Sequence, residues 1–110
     1  MNKIRVYIAS PYSIGNKVEN VRYSLEVADR LMSKGFVPYA PLLNHFQNEM
    51  FPRSDFDCLD FDISWLCVCD VLLRLPGRSR GADNEVVVAK VKNIPVVYSI
   101  KELLKWSKNK

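Results

Sequence analysis

Val71-Leu72-Leu73-Arg74-Leu75-Pro76-Gly77-Arg78-Ser79-Arg80-Gly81-Ala82-Asp83-Asn84-Glu85-Val86-Val87-Val88-Ala89-Lys90 decides how this chain is read. Val71 to Leu73 is a short apolar run, the signature of a strand buried on both faces. Leu75 to Arg80 is a basic loop containing glycine, and the residues from Val86 to Lys90 read as a helix that leads to another strand at Pro95-Val96-Val97-Tyr98. A strand, a glycine-containing loop and a helix N-terminus place free backbone N–H groups where an anion can meet them. Glu85 is expected in the first turn of that helix, where the dipole and free amides hold a carboxylate ionised. That placement suits a nucleophile and equally suits a plain helix cap.

Working outward, the same alternation recurs. Ile4 to Ala9 is nearly all apolar and predicts a first strand, followed by the loop Ser10-Pro11-Tyr12-Ser13-Ile14-Gly15. Asn16 is the expected N-cap of a helix whose apolar stripe is Val18, Val21, Leu25, Ala28 and Leu31, with Gly35 as its C′ stop. Phe36-Val37-Pro38-Tyr39 predicts a short strand near an edge, because Pro38 cannot donate to a ladder. Periodicity is lost from Pro41 to about Asp57, which reads as a long loop of the kind that carries function. Leu59, Ile63 and Leu66 restore helical spacing before a strand at 70–74, and a last helix is expected from about Lys101 to Trp106.

Alternating strands and helices imply a doubly wound parallel sheet of flavodoxin-like or Rossmann-like type, a single three-layer α/β domain over residues 1–110. Ligands of such sheets bind beyond the carboxyl ends of the strands, where the strand order reverses. The loops at Ser10, Asn44 and Ser79 all leave carboxyl ends, so they are expected to converge on one site.

Composition narrows the class. The chain has 110 residues, enough for one core, and its apolar runs fall short of the roughly 20 residues that span a bilayer. Met1-Asn2-Lys3 runs straight into a strand instead of a signal peptide's apolar core, so a cytoplasmic protein without membrane partners is expected. Cys58, Cys67 and Cys69 are an odd number, which argues against a disulfide framework. Cys67-Val68-Cys69 has only His45 to complete a metal set, so no metal and no cofactor is expected; these cysteines read as small apolar residues near a helix end. The net charge of +4 is mild and no basic stripe is interleaved with aromatics, which points away from a nucleic-acid polymer and towards small phosphorylated ligands for Arg78 and Arg80.

The chain resembles the nucleoside 2-deoxyribosyltransferase-like family, which includes bacterial deoxyribosyltransferases and deoxynucleoside 5′-monophosphate N-glycosidases. The resemblance rests on Val6-Tyr7-Ile8-Ala9-Ser10-Pro11, on Asp62 three residues before Trp65, on Asp70-Val71-Leu72, and on Ser79-x-Gly81-Ala82-x-x-Glu85 with Ala89 and Pro95-Val96. It implies that Glu85 attacks the anomeric carbon of a sugar, that Asp62 handles the proton of the departing base and that Tyr7 orients Glu85. It further implies that Ser10 and Ser79 hold a 5′-phosphate, with Gly81 amides and one of Arg78 or Arg80 beside them; free-nucleoside transferases carry an acidic residue where Ser79 stands. The substrate expected is therefore a nucleotide or nucleoside, with His45 and Asn44 as contacts to its base. The family shares sites between subunits, so a homodimer or higher homo-oligomer is expected, with the apolar residues of the first helix and those around Trp65 as the patch.

Simpler readings stand beside these: Glu85 as a dipole partner, Asp62 as one of three crowded aspartates with Asp57 and Asp60, Tyr7 and Trp65 as core aromatics, Ser10 and Ser79 as loop residues and Asn84 as a cap. The chief rival is a Rossmann-like nucleotide-binding or sensor domain without catalysis. Pro76-Gly77 also resembles the phosphate loop of phosphoribohydrolases, although Arg78 and Gly81-Ala82 stand where a second glycine and a Gly-Thr pair would be. A response-regulator-like interaction domain lacks its acidic pair at the end of the first strand.

Overall fold

The computed structural model describes residues 3–110. Four parallel strands, β1 (Arg5–Ala9), β2 (Val37–Tyr39), β3 (Val71–Arg74) and β4 (Val96–Val97), form one sheet in the order β2-β1-β3-β4. The helices are α1 (Lys17–Ser33), α2 (His45–Met50), α3 (Asp55–Leu66), α4 (Arg80–Val91) and α5 (Ile100–Lys108), with a 3-10 turn at Pro41–Asn44. This is the doubly wound flavodoxin-like α/β architecture expected.

Alternation along the strands builds the two interlayers. Val6 and Ile8 of β1 join Val71 and Leu73 of β3 in a core closed by Val27 and Leu31 of α1 and Leu103 of α5. Tyr7 and Ala9 face the other way, with Leu72, against Leu66 of α3 and Ala82, Val86 and Ala89 of α4. Because both faces are covered, all four residues of β3 are buried and read as a continuous apolar run ending in Arg74.

The ends of α1 follow the sequence signals. Asn16 accepts from the Glu19 N–H as N-cap, and Gly35 takes a left-handed φ of 90° just past the last turn. The Phe36 N–H reaches the Leu31 carbonyl and the Gly35 N–H the Met32 carbonyl, the paired bonds of a Schellman stop. Val18, placed on the apolar stripe, is exposed; Val21, Ser24, Val27 and Leu31 form the buried face.

Four expectations are corrected. The segment after Pro41 is not structureless, because the 3-10 turn and α2 occupy most of it; its apolar residues gave no period since Leu43, Phe46 and Met50 point outward. Trp65 is not in the core: it is 46% exposed and stacks on Tyr39. Glu85 lies in the second turn of α4, since Ser79 is the N-cap and Arg80 the first helical residue. Asn84 is accordingly an exposed mid-helix residue and not a cap.

The strand order reverses between β1 and β3. Ala9 pairs with Arg74 there, so Ser10 and Leu75 leave the sheet side by side. Gly77 touches the β1 loop so closely that a Cβ at this glycine would lie 2.8 Å from Pro11 Cγ, and its φ of 117° is one that other residues rarely adopt.

Candidate active site

The two carboxylates singled out in the sequence lie on the same face of the sheet, each held by a tyrosine. Tyr7 and Tyr39 are register partners on adjacent strands, with ring centroids 5.7 Å apart. The buried Tyr7 phenol donates to the carboxylate of Glu85, 78 residues away in sequence. The Tyr39 phenol donates to Asp62 Oδ1 at 3.4 Å and accepts from Asn44 Nδ2 at 3.1 Å. Tyr39 is in turn stacked on Trp65, with centroids 5.4 Å apart. Spacing puts Glu85 and Ala89, four residues apart, on the inner side of α4 with Ala82 and Val86.

Burial sets the electrostatics. Glu85 is 9% exposed, and desolvation pushes its carboxyl from the ordinary 4.5 up to about 7. The Tyr7 hydrogen bond and the positive Arg74 oppose that rise, while negative Asp62 adds to it. The dipole expectation is thus overturned: in the second turn of the helix, behind the capped amides, burial outweighs the field of the N-terminus. Asp62 is pushed up to about 6 by burial, against the lowering effect of the Tyr39 hydrogen bond. Burial and both carboxylates drive the Tyr7 phenol far above its ordinary range, so it stays a neutral donor.

In the sequence Arg74 stands out only by its place at the end of an apolar run. It is 8% exposed, with Nη2 donating to the Gly77 carbonyl at 3.0 Å and to Asp83 at 2.8 Å, and Nη1 donating to the Leu75 carbonyl. Its guanidinium therefore fixes the loop after β3 to the start of α4, as well as adding positive charge near Glu85. An arginine breaking an otherwise fully apolar strand was the available clue, since a buried charge needs partners of this kind.

The remaining candidates divide into two groups. Ser10 Oγ is fully buried at the end of β1 and has no hydrogen-bond partner among the described residues. Ser79 Oγ accepts from the Ala82 N–H at 3.1 Å as N-cap of α4, which leaves its own hydrogen free to donate. Arg78, Arg80 and Gly81 are exposed around that helix start. Asn44 and His45 lie instead with Asp62 along a cleft of about 590 Å³ between α2 and α3, whose lining does not include Glu85, Ser10 or Ser79. His45 is buried, its Nδ1 hydrogen-bonded to the Tyr12 hydroxyl and its Nε2 3.6 Å from Glu49. Asp62 borders the cleft and is also close enough to Glu85 for its charge to raise that carboxyl.

The four-stranded doubly wound parallel sheet defines the class of fold, and solved structures share that fold. The chain is similar to a conserved protein from Enterococcus faecalis V583, with a TM-score of 0.71 and 23% identity over 88% of this chain and 63% of that one. It is also similar to a 2-deoxyribosyltransferase from Leishmania mexicana, at a TM-score of 0.65 and 20% identity over 86% of this chain and 63% of the other. A 2-deoxyribosyltransferase from Bacillus psychrosaccharolyticus gives 0.58 and 18% over 84% and 69%. The chain thus spans about 63% of the length of two of these three neighbours. By sequence, residues 4–99 match the model of the domain of unknown function DUF7768, and the chain belongs to that family. A search of curated proteins finds no match.

Proposed function

We propose that this chain breaks the N-glycosidic bond of a nucleoside or nucleoside 5′-monophosphate. The observation that carries the proposal is the Tyr7 phenol bonded to the buried Glu85 carboxylate at the switch point, with Asp62 close enough to perturb its ionisation. The shared fold with two 2-deoxyribosyltransferases supports the same reading. Glu85 attacks the anomeric carbon as its bond to the base nitrogen breaks, and protonated Asp62 gives its proton to that nitrogen. Water or a second base then attacks the same carbon, releases Glu85 and returns a proton to Asp62, which completes hydrolysis or deoxyribosyl transfer respectively. An oxocarbenium-like transition state places positive charge beside Glu85, so the carboxylate is stabilised most where the barrier is highest.

The 5′-phosphate is assigned to Ser10 Oγ, the Ser79 hydroxyl, the Gly81 amide and one of Arg78 or Arg80. Ser10 Oγ, which like Ser24 Oγ of α1 is buried without a partner among the described residues, lies at the carboxyl end of β1 and has its hydrogen-bonding capacity unused, which supports this. His45 and Asn44 border the space assigned to the base. We further assign a homodimer, with Phe61 and Trp65 of α3, both about half exposed, in the apolar patch that pairing would cover. No described helix is long and apolar enough to cross a membrane.

Incubating the wild-type protein and Glu85→Gln with a panel of nucleosides and their monophosphates, and resolving free base by chromatography, tests the reading. Base release by the wild type alone, faster from the monophosphates, is expected. Absence of base from every substrate, with nucleotide bound, would establish a binding domain without turnover instead.

A further inference from the structure

We infer that Tyr39 is the positioning residue of Asp62, the counterpart of Tyr7 for Glu85, and that the register of β1 with β2 sets how the two acid groups stand relative to each other. The inference rests on the proposed role of Asp62. Tyr7 and Tyr39 are direct register partners, so strand pairing fixes their backbones side by side. Each sends its phenol to a different carboxylate on a different helix: Tyr7 to Glu85 of α4, Tyr39 to Asp62 of α3. Stacking of the Tyr39 ring on Trp65, one turn along α3 from Asp62, keeps that helix face against the ring. Asn44 donates to the Tyr39 oxygen at 3.1 Å, which turns the phenolic hydrogen away from Asn44 and leaves it for the carboxylate. This half-exposed Trp65 and the tyrosine at the end of an edge strand thus have a shared purpose that core packing does not explain.

The groups that face Asp62 are Tyr39 on β2, Tyr7 on β1, Glu85 on α4 and Cys58 one turn earlier on α3; Arg74 acts on Glu85 and not on Asp62. Of these, Tyr39 alone donates a hydrogen bond to Asp62 among the described residues. Removing that donor leaves the ionised form less stable, so Asp62 holds its proton to higher pH. It also frees the side chain to leave the line to the departing base.

Tyr39→Phe keeps the ring and its stack on Trp65, and removes only the hydroxyl. Base release from substrates with poor leaving groups is expected to fall about tenfold, while substrates whose base leaves without protonation change less than about twofold. The alkaline limb of the pH–rate profile is expected to move upward. Equal losses on both substrate kinds with an unmoved alkaline limb would reduce Tyr39 to packing and overturn the inference. If the wild type releases no base at all, the proposed function fails. A carboxyl-detected NMR titration of Asp62 then still decides the inference: a raised Asp62 pKa in Tyr39→Phe upholds the coupling, and an unchanged one refutes it.

Discussion

Glu85→Gln separates catalysis from stability, because the ionised carboxylate is costly to the fold. Glu85 is 9% exposed and its carboxyl is raised from 4.5 to about 7, so the folded protein binds a proton that the unfolded chain has already released. Between those values the native state holds more protons, and stability falls as pH rises. Above pH 7 the loss is complete. The burden is under about 1 kcal/mol at pH 5 and about 3 kcal/mol at pH 8.5, at about 1.36 kcal/mol for each pKa unit. A glutamine keeps the shape and an acceptor for Tyr7 but carries no charge. Urea unfolding at the two pH values, followed by circular dichroism, is expected to give a variant close to wild type at pH 5 and about 2 to 3 kcal/mol more stable at pH 8.5. The same variant is expected to lose base release. An equal stability difference at both pH values, or a variant less stable than wild type at pH 8.5, would refute the claim that burial of this charge dominates.

Asp62→Asn is expected to slow release of poor leaving groups by about 10²- to 10⁴-fold while sparing activated ones, measured by initial rates across a leaving-group series. With Asp62 titrating near 6 and Glu85 near 7, the active form (Glu85 ionised, Asp62 protonated) is the minor of the two singly protonated states, and kcat/KM is expected to follow a bell centred between those values whose two limbs belong to the pair. Ser79→Ala removes the N-cap of α4 and is expected to cost about 1 kcal/mol in urea unfolding and to raise KM for a monophosphate more than for its nucleoside. Gly77→Ala forces a side chain into Pro11 at a left-handed φ and is expected to destabilise by about 1 to 3 kcal/mol in urea unfolding while loosening the contact between the loops after β1 and β3.

The strands, α1 and its Asn16 and Gly35 boundaries were legible because local rules and tertiary contacts agree there. A run such as Val71-Leu72-Leu73 has one use in an α/β chain, and Gly35 one backbone conformation after a helix. The segment from Pro41 to Asp57 was opaque because α2 is six residues long and turns Phe46 and Met50 outward, so no apolar stripe marks it. Glu85 sits one turn further into α4 than the sequence suggests, since a cap at Ser79 and one at Asn84 are both consistent with the sequence. Its raised pKa could not be read at all, because it depends on burial beneath a sheet whose other contributor is Tyr7. Tyr39 and Arg74 were missed for the same reason: their partners Asp62, Asn44, Gly77 and Asp83 become neighbours only through strand order and helix placement.

The most direct test of the central claim is a rapid acid quench of the wild-type protein with a nucleoside monophosphate whose sugar carries a 2-fluoro group, followed by mass analysis of its peptides. Fluorine disfavours positive charge at the anomeric carbon and so slows both halves of the reaction, while a good leaving base keeps the first half the faster. The account predicts stoichiometric release of base and the mass of one fluorinated pentosyl phosphate on the peptide that contains Glu85, with neither in Glu85→Gln. Base release without an adduct on that peptide, an adduct on another residue, or no base from any such substrate would contradict it.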